Sequence, residues 1–256
     1  MCCFSGTVER VSDTRIFARG MGARQLLVYA MKYAAASDLA MVLPLPVVPG
    51  AGEDGLRFID LSRCPKFFDE LAQGFRDEDT ITLSADVSTR ARTLAVHNVG
   101  SYEASFVPSP EDFGRLDERF RLPAHIWVDL SHYRDWGFAV FKLKPTALAD
   151  VHPMAFEFAR RDTSRLFFPT LHVHRGRFDA SAGFDHELFC QAEPSLNFHL
   201  HEWHDSPEPA SAFVTCPEAA RLLDLQSPCW RVFLRGRLEN RDTWVGPGSR
   251  LPSPRG

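Results

Sequence analysis

The sequence lacks the marks of several large protein classes. No stretch of its 256 residues approaches the roughly 20 consecutive apolar residues of a membrane-spanning helix. Its 29 basic residues do not exceed its 33 acidic ones, so the basic surplus with which proteins bind nucleic-acid phosphates is missing. The start, MCCFSGTVERVSDTR, has neither the basic region nor the apolar core of a secretory signal. We therefore expect a cytoplasmic protein that binds neither membranes nor nucleic acids.

The common catalytic motifs are missing too. The sequence contains no Cys-x-x-Cys pair, no Gly-rich phosphate loop, no Gly-x-Ser-x-Gly elbow and no His-Glu-x-x-His motif. Lysine is scarce, with 4 residues against 25 arginines, which argues against an enzyme that works through a lysine Schiff base. The chemistry has to be sought in other residue types.

The composition indicates a packed, β-rich domain. Hydrophobic residues make up 45% of the chain, and Phe (21) far exceeds Trp (5) and Tyr (4). The 18 prolines separate short apolar runs, a pattern typical of strands and turns. We predict an α+β fold with a β-rich core of mostly antiparallel strands and a few short helices. Residues 1–245 are expected to form one globular domain, and 246–256 (GPGSRLPSPRG) a disordered tail.

Periodicity and capping residues place the individual elements. Strands are predicted at Thr14–Ala18, Gln25–Tyr33, Leu39–Leu45, Thr93–Val99, Tyr102–Val107, Phe138–Leu143, Met154–Phe158, Leu166–His174, Leu188–Gln191, Leu196–Trp203 and Trp230–Leu238. Short helices are predicted at Pro65–Phe75, Pro110–Leu116, Ala124–Tyr133 and Pro217–Leu225.

The chain begins with two cysteines, Cys2 and Cys3. A small second residue permits removal of Met1, which would leave Cys2 with a free α-amine whose pKa is about 7.7–8.0. Such an amine can activate the thiol as a nucleophile, or thiolate and amine can chelate a metal together. A buried or frayed Cys-Cys start without a chemical role is the alternative.

Several blocks resemble a bacterial family of unknown function. The blocks are Cys2–Phe4, Thr14–Ala18, Leu26–Ala30, Ala40–Pro46, Val99–Glu103, Trp136–Pro145 and His152–Phe156. Secreted members of that family begin the mature chain near a Cys-Gly-rich run and continue with a Val-Val-Pro-Val-Pro block. The resemblance implies no activity. It implies that a cysteine close to a processed amino terminus is a recurring feature of these proteins. This chain departs from the family in having no signal peptide, and histidines where those relatives are apolar.

The first twenty-odd residues also resemble choloylglycine hydrolases and penicillin V acylases. Those enzymes start Met-Cys and carry an arginine in a Phe-Gly-Arg-Asn-Met-like strand, and Arg19 stands at the comparable place in Ile16–Met21. The resemblance implies that Cys2 attacks a carbonyl that Arg19 orients. The aspartate that follows in those enzymes is replaced here by Gly22, which leaves the catalytic set incomplete.

Histidines are concentrated late in the chain, with six of the 10 between His172 and His204. His172 and His174 are two residues apart on a predicted strand, so both imidazoles point to one face and can bind one metal. His186 and Cys190 follow as further candidate ligands. Imidazole with thiolate suits copper, iron or zinc alike.

The other histidines and cysteines have plainer interpretations. His199, His201 and His204 fit a solvated strand face with Phe198, Leu200 and Trp203 turned inward. The remaining cysteines lie beside prolines without a partner at metal-ligand spacing, and we assign structural roles to Cys64, Cys216 and Cys229. In a reducing compartment we expect thiols rather than disulfides.

Three functions remain open. The first is a Cys/His-centred metalloenzyme with His172, His174, His186 and Cys190 as ligands and Cys2 or Cys3 at the site. It would act, most readily by oxidation, on a small sulfur- or nitrogen-containing molecule. The second is an amidohydrolase with an N-terminal cysteine nucleophile. The third is a non-catalytic metal-binding or interaction protein.

Overall fold

A computed structural model of the chain describes residues 3–75, 97–99, 102–174 and 176–254. The described strands are β1 Cys3–Phe4, β2 Arg10–Met21, β3 Arg24–Ala35, β4 Leu39–Leu45, β5 Leu56–Asp60, β6 His97–Val99, β7 Tyr102–Val107, β8 Gly137–Leu143, β9 Thr146–Asp150, β10 Met154–Ala159, β11 Leu166–Phe168, β12 Val173–His174, β13 Arg177–Phe178, β14 Ser181–Gln191, β15 His204–Asp205, β16 Trp230–Glu239 and β17 Thr243–Val245.

Helices are short. The α-helices are α1 Phe67–Gln73, α2 Ile126–Asp129 and α3 Pro217–Ala220, and 3-10 turns lie at Glu53–Gly55, Pro110–Arg115, Glu118–Phe120, Ser131–Tyr133, Pro194–His199 and Ala210–Ala212. The prediction of a β-rich fold with mostly antiparallel strands and few helices is confirmed. In the described residues, no helix is both long and apolar enough to cross a bilayer.

Two sheets carry the fold. The first has the strand order β13-β12-β1-β4-β8-β7-β6, and the second has the order β15-β16-β14-β2-β3-β10-β5, with β9 also paired to β3. A small third sheet joins β11 to β17. Most pairs are antiparallel, and the parallel ones are β1 with β12 and β14 with β2. Both parallel pairs join the first residues of the chain to its last third.

The main core lies between the two sheets, because alternate side chains of both sheets meet in one cluster. Leu27 and Tyr29 of β3 share it with Met41 and Leu43 of β4 and Phe141 of β8. β4 is buried along its whole length and β3 along most of it. Strands buried on both faces read as continuous apolar runs rather than as alternating ones.

Short helices and loops cover the outer faces of both sheets. On the second sheet, Phe67, Phe68 and Leu71 of α1 pack over Phe17 and Val28. On the first sheet, residues from the 110–133 region cover the cluster that contains Cys3; they are Phe113, Phe120, Leu122, Ile126, Leu130 and Tyr133. Cys3 therefore lies under a layer of protein.

The predicted strand at Leu196–Trp203 is wrong, since a 3-10 turn occupies Pro194–His199. Leu196, Leu200 and Trp203 are buried, which is a helical spacing of four and three residues rather than an alternation. Phe198 is 87% exposed, although we expected it to point inward. Pro194 at the first turn fixes the backbone for this turn.

The predicted strand at Leu166–His174 is interrupted. β11 ends at Phe168, Pro169 follows, and pairing resumes at Val173. Proline cannot donate to a strand ladder, which explains the break. The strand predicted at Thr93–Val99 is present at His97–Val99, and its first four residues lie outside the described chain.

The structure describes the predicted tail as far as residue 254, and several hydrogen bonds join it to the end of β16 and the residues that follow. The Glu239 amide donates to the Ser253 carbonyl at 2.9 Å. The Arg241 guanidinium donates to the carbonyls of Arg250 and Leu251 at 2.7 and 2.8 Å, and Leu251 packs on the main core. A Gly/Pro-rich composition therefore marks an irregular segment here that arginine hydrogen bonds hold in place.

Candidate functional site

The first described residue, Cys3, lies in the middle of a sheet. β1 runs between β4 and β12, and Cys3 pairs with Val42 on one side and Val173 on the other. Its side chain is fully buried. Because Val173 stands between His172 and His174, the cysteine start and the first histidine pair of the sequence analysis meet in space. Cys2 lies outside the described residues.

The ring of His172 stacks on that of His186. The two ring centroids are 5.2 Å apart, and the ring planes differ by 16°. The ring centroid of Phe184 lies 4.3 Å from that of His172. His186 belongs to β14, whose alternation turns it inward together with Phe184. Both histidines are buried, and burial holds the pKa of His186 well below its usual range. His186 is therefore neutral near pH 7.

A buried carboxyl group lies beside this histidine pair. Asp242 Oδ1 accepts from the amides of Thr170 and Leu171 at 3.0 and 3.1 Å, and the Tyr133 hydroxyl donates to Oδ2. Burial outweighs these hydrogen bonds and raises the pKa of Asp242 to about 6. The same burial, and the neighbouring Asp242, raise the pKa of Tyr133.

Asn240, two residues before Asp242, holds the backbone of His172. Its Oδ1 accepts from the His172 amide at 2.7 Å, and its Nδ2 donates to the His172 carbonyl at 2.8 Å. We call Tyr133, His172, His186, Asn240 and Asp242 the buried polar cluster. Tyr133, Asn240 and Asp242 carry no signal in the sequence, since an Asn and an Asp between two strands are typical turn residues.

A β-bulge lies at the edge of the cluster. The register of β2 against β3 shifts between Ser12 and Arg15, and Asp13 adopts a positive φ of 53°. The bulge buries Thr14, which pairs with His186 across the parallel ladder. The Asp13 amide donates to Asp185 Oδ2 at 3.0 Å, which holds the bulge in place. Bulges commonly re-aim side chains at functional positions.

The structure does not bring Cys190 to the histidines. Cys190 lies four residues beyond His186 on β14, which is about 13 Å at 3.3 Å per residue. Burial raises the pKa of its thiol well above the usual value, so the thiolate form that binds metals is disfavoured.

Arg19 also lies apart from Cys3. It belongs to β2 in the other sheet, five residues beyond Thr14, and its Nη1 donates to the Leu222 carbonyl at 2.8 Å. It lines a cavity of about 270 Å³ together with Glu193, Asp224 and Trp230. No described contact joins Arg19 to Cys3. The role that the acylase resemblance gives Arg19 remains a prediction.

The late histidines are on the surface. His201 and His204 are exposed, and His199 is half-buried. The backbone of His174 belongs to β12, and its side chain is outside what the structure describes.

Two of the cysteines that we assigned structural roles form a disulfide, Cys64 with Cys216. It links the segment before α1 to the start of α3, across 152 residues. The expectation of free thiols is wrong for this pair, because its partners are far apart in sequence and no spacing reveals them. Among the described side chains, one group of three metal-ligand types lies close together, Cys64, Cys216 and Glu218, and the disulfide uses both of its sulfurs.

The buried polar cluster offers two stacked imidazoles, of which burial keeps His186 neutral, and a carboxyl whose pKa burial raises to about 6. These groups are sealed: His172 is 2% exposed, His186 0% and Asp242 9%. A substrate would reach them only after the surrounding layer opened.

No protein-family model matches the chain. The fold is similar to that of baculovirus P35, at 13% identity and a TM-score of 0.51, over 96% of this chain and 99% of P35. The caspase-8/P35 complex aligns at 10% identity over 92% of this chain and 96% of that chain, with a TM-score of 0.45. A mutated baculovirus P35 after caspase cleavage aligns at 12% identity over 92% of this chain and 99% of that chain, with a TM-score of 0.44. The first of these likenesses shows a shared fold.

Proposed function

We propose that this chain is a binding protein whose partner is a caspase-type cysteine protease. The observation that carries the proposal is the fold shared with P35, which extends over 96% of this chain and 99% of P35. P35 is itself found in a complex with caspase-8. Because a shared fold does not fix function, the proposal is a hypothesis about the partner.

The placement of the reactive side chains also supports a binding role. Cys3, His186 and Cys190 are fully buried. Cys3 lies under the layer that covers the first sheet, and Cys190 lies in the main core between the sheets. Sites that turn over small molecules are clefts that admit the substrate to the reacting groups. Groups that are sealed in this way stabilise a fold and leave its outer surface for protein contacts.

Binding to purified caspase-8 tests the proposal. The chain is immobilised and titrated with active caspase-8 and with a variant that lacks the catalytic cysteine, and immobilised P35 serves as the positive control. We expect saturable binding to the chain that soluble P35 displaces. No binding of caspase-8 or of a panel of other caspases, at concentrations that saturate P35, would overturn the proposal.

A second candidate is a transition-metal site at His172 and His186. Two observations support it: Cys3 pairs with Val173, the neighbour of His172, and the His172 ring stacks on that of His186. Neutral imidazoles are the form that binds copper, iron or zinc.

Metal content separates this second candidate from the first. Purified protein and a His172→Ala/His174→Ala variant are analysed before and after reconstitution with copper, iron and zinc. The matched control is His201→Ala/His204→Ala, since both of those histidines are exposed. A metal at this site gives close to one equivalent in the wild type and the control, and a loss in the first variant. Less than about a tenth of an equivalent in reconstituted wild type rules the site out.

A further inference from the structure

Strand β16 forms an open edge of the second sheet. On one side it pairs with β14 along its whole length, from Trp230 to Glu239. On the other side β15 pairs only with Trp230 and Arg231. In the part of the chain that the structure describes, no strand continues this second ladder along Val232–Leu238.

The backbone groups that face the open side can be assigned from both ends of the strand. The Ser206 amide donates to the Cys229 carbonyl at 2.8 Å, and the Glu239 amide donates to Ser253 at 2.9 Å. Both contacts lie on the side away from β14. Because outward-facing groups alternate along an antiparallel strand, the odd residues between these ends also face outward. Phe233, Arg235 and Arg237 therefore present their N–H and C=O groups to the open edge.

The side chains along this edge are basic and aromatic. Phe233 is 38% exposed, and the guanidiniums of Arg231 and Arg235 lie over its ring at 5.0 and 4.4 Å. Arg231 pairs with Glu187 at 3.5 Å. Arg235 and Arg237 are exposed and form no ion pair with any described carboxylate. The outer face of the edge thus carries two exposed arginines next to an aromatic ring. Arg235 stands opposite Asp185 and its charge also acts on Glu187, whereas Arg237 stands opposite Gly183.

We propose that this edge, Phe233–Arg237, binds an extended acidic segment of a partner protein by β-strand addition. The backbone groups of three residues would extend the sheet, and alternate acidic side chains of the partner would meet Arg235 and Arg237. A second copy of this chain fits poorly, because pairing the same edge with itself would place arginines opposite arginines. Gly236 has a positive φ of 86°, and the register with β14 continues unbroken through it.

This inference does not rest on the caspase proposal. The edge is defined by β16 and its arginines alone, and any protein with an exposed acidic strand could supply the segment. The experiment therefore uses peptides and no protease, and either proposal can fail while the other holds.

Three labelled hexapeptides test the proposal by fluorescence polarisation at physiological salt. The first alternates Glu and Val, the second alternates Lys and Val, and the third is the Glu-Val peptide with every backbone amide N-methylated. We expect saturable binding of the first peptide and none of the other two. Equal binding of the N-methylated peptide would show charge attraction without strand addition, and would overturn the proposal.

Charge-reversal variants locate the binding. Arg235→Glu/Arg237→Glu should weaken binding of the Glu-Val peptide by about tenfold, because two attractions become repulsions. The matched control is Arg10→Glu/Arg221→Glu, which reverses two exposed arginines elsewhere and should leave binding unchanged. Circular dichroism checks that each variant is folded. No binding of the peptide to wild type, or equal loss in both variants, would contradict the proposal.

Discussion

Cys3 pairs with Val173 in the parallel ladder of β1 and β12, although 170 residues separate them. This pair places the start of the chain next to His172 and inside the first sheet. Phe4, the next residue, is fully buried in the main core between the sheets. The amino-terminal residues are thus part of the folded core, and the fold depends on them.

Substitution of Phe4 tests this dependence. Phe4→Ala should lower the free energy of unfolding by about 3–5 kcal/mol, because it removes a buried ring and leaves a cavity. Phe198→Ala is the matched control, since Phe198 is 87% exposed, and we expect it to change stability by less than about 0.5 kcal/mol. Urea denaturation followed by circular dichroism measures both. Similar values for the two variants would mean that β1 does not contribute to the core.

The Cys64–Cys216 disulfide should stabilise the covering layer of the second sheet. It closes a long loop, and the chain-entropy account gives such a crosslink up to about 5 kcal/mol. We expect Cys64→Ser/Cys216→Ser to lose roughly 3–5 kcal/mol in urea denaturation. Dithiothreitol should destabilise the wild type by a similar amount and leave the variant unchanged. A reductant effect of equal size on the variant would show that the bond is not responsible.

The buried carboxyl of Asp242 predicts a pH dependence of stability. Its folded pKa of about 6 is above the ordinary 3.8, so the folded state holds the proton more tightly than the unfolded state. This contribution to stability is fully present below about pH 4 and is lost as pH rises through about 6.

Asp242→Asn isolates this contribution. The quantity that reports it is the free energy of unfolding of the wild type minus that of the variant. As the pH rises from 4 to 7.5, we expect this difference to fall by on the order of 2–3 kcal/mol. Comparison in the same buffers removes the opposite effect of His186, whose lowered pKa acts equally in both proteins. Thermal unfolding at a series of pH values measures the difference. A difference that stays constant with pH would contradict the assignment.

Substitution of Gly137 tests how closely β8 approaches Phe106 and Val47. A Cβ at this position would lie 2.7 Å from the Phe106 ring and 2.9 Å from Val47 Cγ2. Gly137→Ala should therefore cost about 1–3 kcal/mol through overpacking. Gly183→Ala, on strand β14, meets nothing within 4 Å and should be neutral or slightly stabilising. Equal effects in urea denaturation would show that the contact around Gly137 relaxes freely.

The sequence predicts well those elements whose burial is uniform. The apolar runs in β3 and β4 are strands because both of their faces are covered, and α1 lies within the predicted Pro65–Phe75. The 3-10 turn at Pro194–His199 resembles a strand in sequence because polar and apolar residues alternate there, whereas the spacing of Leu196, Leu200 and Trp203 is helical.

The candidate site is harder to predict, since it depends on contacts between distant segments. Cysteine at the start and His172 are visible in the sequence, but their meeting depends on the parallel pairing of β1 with β12. Asp242 and Tyr133 come together across 109 residues, and only the fold reveals that burial raises the pKa of the acid. Sequence motifs are defined by the spacing of residues that are close in sequence. They therefore reveal neither the approach of Cys3 to His172 nor that of Tyr133 to Asp242.

The central claim is that this chain binds a caspase-type protease. It is tested most directly by the masses of the species that elute from an equimolar mixture of this chain with caspase-8. Size-exclusion chromatography with light scattering measures these masses, and P35 with caspase-8 is the positive control. We predict one species whose mass equals a complex of the two proteins, with both present on a gel of the peak. Two separate peaks with the masses of the free proteins, under conditions in which P35 forms its complex, would contradict the account.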